Sequence, residues 1–198
     1  CSCKRNGIDA RPEIMVPLIT SQEELDHQKK IIDQVAKETM DKYMIKIDYL
    51  VGTMIELPRA ALTAQNVAKS ADFFSFGTND LTQTTLGLSR DDAGKFLPYY
   101  VNQGIYKEEP FQKLDQPGVG RLVKFAAVEG RKTKSKLKLE FKTPSFVDYF
   151  NVFEDEVLVD MAMNYPESLE RMCSLISLDT QLEKERLKFK LKQFDYMA

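Results

Sequence analysis

The chain has 198 residues, enough for one ordinary domain with a real core or for most of an eight-unit α/β barrel, but not for a whole one. Its 28 Lys and Arg against 30 Asp and Glu leave a formal charge of −2, so bulk electrostatics argues for neither nucleic acid nor a membrane surface as partner. No apolar run approaches the roughly 20 residues of a membrane span, and no signal peptide is visible. Three cysteines, Cys1, Cys3 and Cys173, make neither a disulfide framework nor a four-ligand zinc set, which points to a reducing compartment. The chain opens at Cys1 rather than at methionine, which suggests a fragment or an incomplete gene.

Ile14 to Ile19 reads as a strand. Ser21 and Glu24 then form a capping-box pattern, and Leu25, Gln28, Ile32, Val35 and Ala36 mark a helix to about Met40. The single histidine, His27, falls on the solvated side of that helix. Tyr49 to Ile55 is a second strand, ending in the carboxylate of Glu56, and Pro58 suits the first turn of a helix running to about Ser70. Phe73 to Phe76 is a third, buried strand. It stops at Gly77, where the backbone is free to turn and approach a ligand, and Thr78, Asn79 and Asp80 follow. A long irregular stretch rich in turn residues extends to about Pro117. A helix from about Val119 to Glu129 is expected next, closed by Gly130 at its C-terminal cap. The basic run Arg131 to Lys138 lacks interleaved aromatics and reads as a solvated helix end rather than an RNA- or phosphate-binding patch.

Polar groups just past the ends of parallel strands are how α/β proteins build their sites. Neighbouring strands would bring Glu56 and Asp80 to one face, where two carboxylates can share a divalent cation. Either acid alone reads sooner as a helix-capping charge than as a metal ligand. The pair, with Gly-Thr-Asn between strand and acid, shifts the weight towards a metal site.

Pro12-Glu-Ile-Met-Val-Pro-Leu, Val51-Gly-Thr-Met-Ile-Glu-Leu-Pro-Arg-Ala-Ala-Leu and Phe73-Phe-Ser-Phe-Gly-Thr-Asn-Asp-Leu-Thr-Gln closely resemble the C-terminal barrel domain of the pyruvate, phosphate dikinases. Ser89-Arg-Asp-Asp-Ala-Gly-Lys-Phe and Asp115-Gln-Pro-Gly-Val-Gly strengthen the resemblance, which runs from about Arg11 to Leu139. It implies an incomplete TIM-type (β/α)8 barrel of about three βα units over residues 1–139. It also implies phosphoenolpyruvate or pyruvate as ligand and Mg²⁺ as cofactor. Glu56 and Asp80 would be the metal ligands. Gly77, Thr78 and Asn79 would be the loop that lines the substrate, with Glu56 and Asp80 beside them. The chemistry implied is phosphoryl transfer between a phosphohistidine and the enolate oxygen of pyruvate, in the cytoplasm or in an organelle such as a plastid or glycosome. A homodimer, or pairing with a full-length dikinase, is the partnership that follows.

The chain departs from the family pattern after Leu139. The family's Cys-Gly-Glu-His motif is replaced by Glu140-Phe-Lys-Thr-Pro, and Cys173 matches no part of it, so no catalytic residue is assigned. Residues 140–198 form a second, unrecognised segment, apolar from Pro144 to Met163 and then helical in pattern. Stripes of Leu169, Met172, Cys173 and Ile176, and of Leu187, Leu191 and Phe194, carry that pattern. The alternative function is a non-catalytic, diverged remnant that acts by binding a partner protein.

Overall fold

The structure, a computed structural model, describes residues 1–142. The patterns read in residues 143–198 lie outside the described residues. Four parallel strands form one sheet in the order β1 (Glu13–Val16), β2 (Leu50–Ile55), β3 (Phe73–Gly77) and β4 (Lys138–Lys142). Helices connecting these sequential parallel neighbours share one core on one side of the sheet, with Leu25, Ala61, Val67, Leu81 and Val123 in it. Side chains alternate accordingly. Ile55, Phe74, Phe76 and Leu139 enter the core against the helices, whereas Gly52, Met54, Phe73, Ser75, Lys138 and Glu140 share the opposite face by register.

After a short N-terminal helix, α1 (Ser2–Arg5), the long helix α2 (Gln22–Tyr43) starts as its sequence dictates. The Ser21 hydroxyl accepts from the Glu24 N–H, and the Glu24 carboxylate accepts from the Ser21 N–H, completing the capping box. His27 is exposed on it, as expected. Leu25 anchors α2 to the core, but Ile31 and Val35 stay exposed, Val35 by 55 %. They border an apolar groove of about 390 Å³, also lined by Ile14, Ile32, Ala36 and Met40. No helix among the described residues is long and apolar enough to cross a membrane.

The single helix expected over 58–70 is two short ones, α3 (Pro58–Leu62) and α4 (Ala64–Val67). At the junction Thr63 turns its hydroxyl back onto the Arg59 carbonyl at 2.9 Å, a local bond that competes with the helical ladder. Their alanines, Ala60, Ala61, Ala64 and Ala68, let backbone and sheet approach closely and are fully buried.

The irregular stretch expected after Gly77 is instead largely helical. It holds α5 (Thr78–Leu86), α6 (Arg90–Ala93) and α7 (Leu97–Asn102). Gly87 ends α5 in a left-handed conformation, φ 64°, which a glycine adopts without steric cost. A π-helical turn, Gln116–Gly120, then leads into α8 (Arg121–Thr133). Gly130 lies inside α8 and is not its cap. A Cβ there would come within 2.7 Å of Leu137 and of the Phe74 ring, so the glycine sets how closely α8 lies on the sheet.

The basic run is not a solvated helix end throughout. Past α8, Lys134 donates to the Ala71 carbonyl (2.8 Å) and to Asp72 (2.9 Å), and Lys138 begins β4, a fourth strand. The Lys138 ammonium lies 2.5 Å from Glu13, on β1, and 2.8 Å from Glu140, joining the two edge strands across the face opposite the helices. Burial alone would lower its pKa, but the two carboxylates outweigh burial and raise it. The segment boundary expected at residue 139 falls inside β4.

Candidate functional site

Glu56 is the first residue after β2, and Asp80 stands in the first turn of α5 directly after β3. Because Ile55 is paired with Phe76, the next step along each strand sets Glu56 beside Gly77. The two acids therefore reach the same place from adjacent strand ends, close enough for Asp80 to act on the Glu56 carboxyl. Glu56 is only 2 % exposed. Burial pushes its carboxyl above the ordinary range. The Leu18 N–H opposes that shift, and the neighbouring Asp80 carboxylate adds to it by charge and by hydrogen bonding.

Each acid is held from behind. The Leu18 N–H donates to Glu56 Oε1 at 2.7 Å. Leu18 follows β1 and Pro17 in a left-handed conformation, φ 54°, uncommon for leucine. This turn delivers one backbone amide to the carboxylate. Asp80 Oδ1 accepts from Gln83 Nε2 at 2.9 Å, and Gln83 Oε1 accepts from the Arg90 N–H at 2.8 Å, linking the acid to α6. The Thr84 hydroxyl lies 2.7 Å from the Asp80 carbonyl oxygen and 3.3 Å from that of Glu56, so one side chain spans the two strand ends. Leu18, Gln83 and Thr84 are supports that the sequence reading did not single out. Pro17 after a strand and the Thr-Gln pair after Asp80 were the available signals.

Gly77, Thr78 and Asn79 do not form a loop. Gly77 is the N-terminal cap of α5, and Thr78 and Asn79 lie with Asp80 in its first turn. Gly77 has an ordinary negative φ of −88°, so its value is room rather than conformational freedom. A Cβ there would lie 2.7 Å from Glu56 Oε2 and 2.7 Å from the Met54 methyl. Thr78 is buried, while Asn79 and Asp80 are half-buried.

Two facing carboxylates in a desolvated corner repel one another unless a proton or a cation lies between them. As a donor set they suit a hard divalent ion, which takes oxygen ligands and fills its remaining positions with water and substrate oxygens. Among the described residues no group of three His, Cys, Asp or Glu comes together.

Parallel strands with polar groups gathered past their carboxyl ends define an α/β domain of the kind that builds its binding site there. Residues 2–135 match the family model described as PEP-utilising enzyme, PEP-binding domain, and the chain belongs to that family. A pyruvate, phosphate dikinase of Rhizobium meliloti is 60 % identical over 133 residues, covering 67 % of this chain and 15 % of that protein. One from Giardia intestinalis is 49 % identical over 139 residues, covering 70 % and 16 %. A chloroplastic one from Oryza sativa subsp. japonica is 56 % identical over 133 residues, covering 67 % and 14 %. The chain therefore spans about 15 % of the length of such curated relatives.

Proposed function

We propose that this chain carries the metal- and substrate-holding part of a pyruvate, phosphate dikinase, with Glu56 and Asp80 as the ligands of one Mg²⁺ and phosphoenolpyruvate or pyruvate as the bound molecule. The placing of the two acids at the carboxyl ends of adjacent strands, with Glu56 packed against Gly77, is the observation that carries the reading. Family membership and relatives named as dikinases support it. The four described strands would then be consecutive members of a TIM-type barrel, whose sites gather at the carboxyl ends of strands.

Bound between the acids, Mg²⁺ would neutralise them and stabilise negative charge on the keto-acid oxygens. The chain's own residues supply the rest. The Leu18 amide fixes Glu56, Gln83 holds Asp80, and Gly77 leaves room for the Glu56 carboxylate beside it. The first amides of α5, at Thr78, Asn79 and Asp80, offer donors to a carboxylate or phosphate. Such positioning and charge stabilisation are what phosphoryl transfer asks of a protein. His27, exposed on α2, takes no part in this reading. The apolar groove beside Ile31 and Val35 supports a partnership in which a second copy or a full-length dikinase covers that face.

Isothermal titration of the full chain with phosphoenolpyruvate, with and without Mg²⁺, tests the proposal. Mg²⁺-dependent binding that Asp80→Ala abolishes is the expected result. A folded wild-type sample that binds neither ligand overturns it.

A further inference from the structure

Ser75 is the one polar side chain within the strand Phe73-Phe-Ser-Phe-Gly77, and it is wholly buried. Its hydroxyl has no hydrogen-bond partner among the described residues. A serine in a strand can usually turn its hydroxyl onto nearby backbone, as Thr53 does here by donating to the Val16 carbonyl oxygen at 2.7 Å. Ser75 does not. A buried hydroxyl left unsatisfied is costly, and such exceptions are best explained by a bound water, an ion or a functional role.

Its place in the sheet says which. Alternation puts Ser75 on the same face as Gly77, two residues nearer the start of the strand. Register puts it between Met54 on β2 and Glu140 on β4. The next rung up holds Glu56 and Gly77. The Met54 methyl and Glu56 Oε2 converge above, each 2.7 Å from where a Gly77 Cβ would stand. Ser75 therefore lies one rung below Glu56 and Gly77, on the face they occupy. A hydroxyl one rung below a cation is too far to be its ligand, but it is well placed to hold a water that the cation or the substrate also binds.

We propose that Ser75 is a positioning residue of the site, holding through its hydroxyl an ordered water shared with the Mg²⁺–phosphoenolpyruvate pair. This rests on the function proposed above and adds a residue to it. The proposal makes affinity and stability move in opposite directions. Removing the hydroxyl relieves a buried unsatisfied group, so the protein without ligand gains stability or keeps it. The same change removes the water's anchor, so ligand binding weakens.

The test is isothermal titration of the full chain with phosphoenolpyruvate at saturating Mg²⁺, beside thermal melts without ligand, for wild type, Ser75→Ala, Ser75→Cys and Asp80→Ala. Ser75→Ala is expected to weaken binding about tenfold, the usual worth of one hydrogen bond to a charged assembly, with a melting temperature equal to or above wild type. Ser75→Cys keeps the shape with a poorer donor and is expected to weaken binding as well. Wild-type affinity in Ser75→Ala, or a fall in melting temperature together with affinity, overturns the inference. If Asp80→Ala abolishes binding while Ser75→Ala retains it, Ser75 alone is wrong. If wild type itself fails to bind, both readings fall.

Discussion

Glu56 Oε2 lies 2.7 Å from the point where a side chain at Gly77 would begin, so the acid and the missing side chain share one volume. Gly77→Ala must displace both the Met54 methyl and the Glu56 carboxylate, and the carboxylate is held in place by the Leu18 N–H. Overpacking of this kind costs about 1–3 kcal/mol. Urea unfolding of Gly77→Ala should show a loss in that range together with weakened Mg²⁺ binding. Unchanged stability and unchanged affinity would mean that the two residues are not in contact.

Glu56 has a pH signature. Its carboxyl is held above the ordinary range, chiefly by burial and then by Asp80, so the folded state keeps the proton more tightly than the unfolded chain does. Its contribution is therefore full below the ordinary carboxylate pKa. It declines as pH rises through that value to the folded one. Glu56→Gln retains an oxygen for the Leu18 N–H and removes the charge. At neutral pH without Mg²⁺ it should equal or exceed wild type, by up to about 1–2 kcal/mol, and Mg²⁺ should no longer raise its melting temperature. In wild type, Mg²⁺ affinity should fall as pH drops below the raised pKa, because coordination requires the proton to leave.

At the other end of the strands, Asp72 accepts from the Val51 N–H at 3.0 Å and pairs with Lys134 at 2.9 Å and Lys29 at 3.6 Å. Burial alone would raise its carboxyl, but those three partners outweigh burial and hold it below the ordinary range. The stability it contributes is present above the unfolded pKa and is lost as pH falls through the lowered folded value. Asp72→Asn keeps the backbone bond and loses both ion pairs. Urea titration at pH 7 should register a deficit of about 1–2 kcal/mol that closes on acidification. A deficit independent of pH would assign Asp72 a packing role.

The core of the fold was legible where local chemistry and burial agree. Three apolar strands, the Ser21–Glu24 box and the acids after β2 and β3 each follow from residue type and spacing. The helix after Gly77 was not legible, because α5 begins without a side-chain cap and its Thr-Asn-Asp start imitates a turn. β4 was hidden for another reason. Its alternate residues Lys138 and Glu140 are charged where a strand facing an interior would show apolar ones, and they are accommodated only because Glu13, from the far edge of the sheet, completes the ion cluster. Gly130 reads as a cap in sequence, yet it is a close-packing position against Phe74 and Leu137, a demand that only tertiary structure creates. For the site, the two acids could be named from the chain, but the Leu18 amide could not, since its role depends on a backbone turn 38 residues away from Glu56.

The central claim is that Glu56 and Asp80 hold one divalent cation between them. A crystal of the chain grown with Mn²⁺ in place of Mg²⁺, examined by anomalous scattering, tests it most directly. One strong peak is expected about 2.1 Å from a carboxylate oxygen of each acid. A peak bound to neither, or the two carboxylates turned apart with no ion between them, would contradict it.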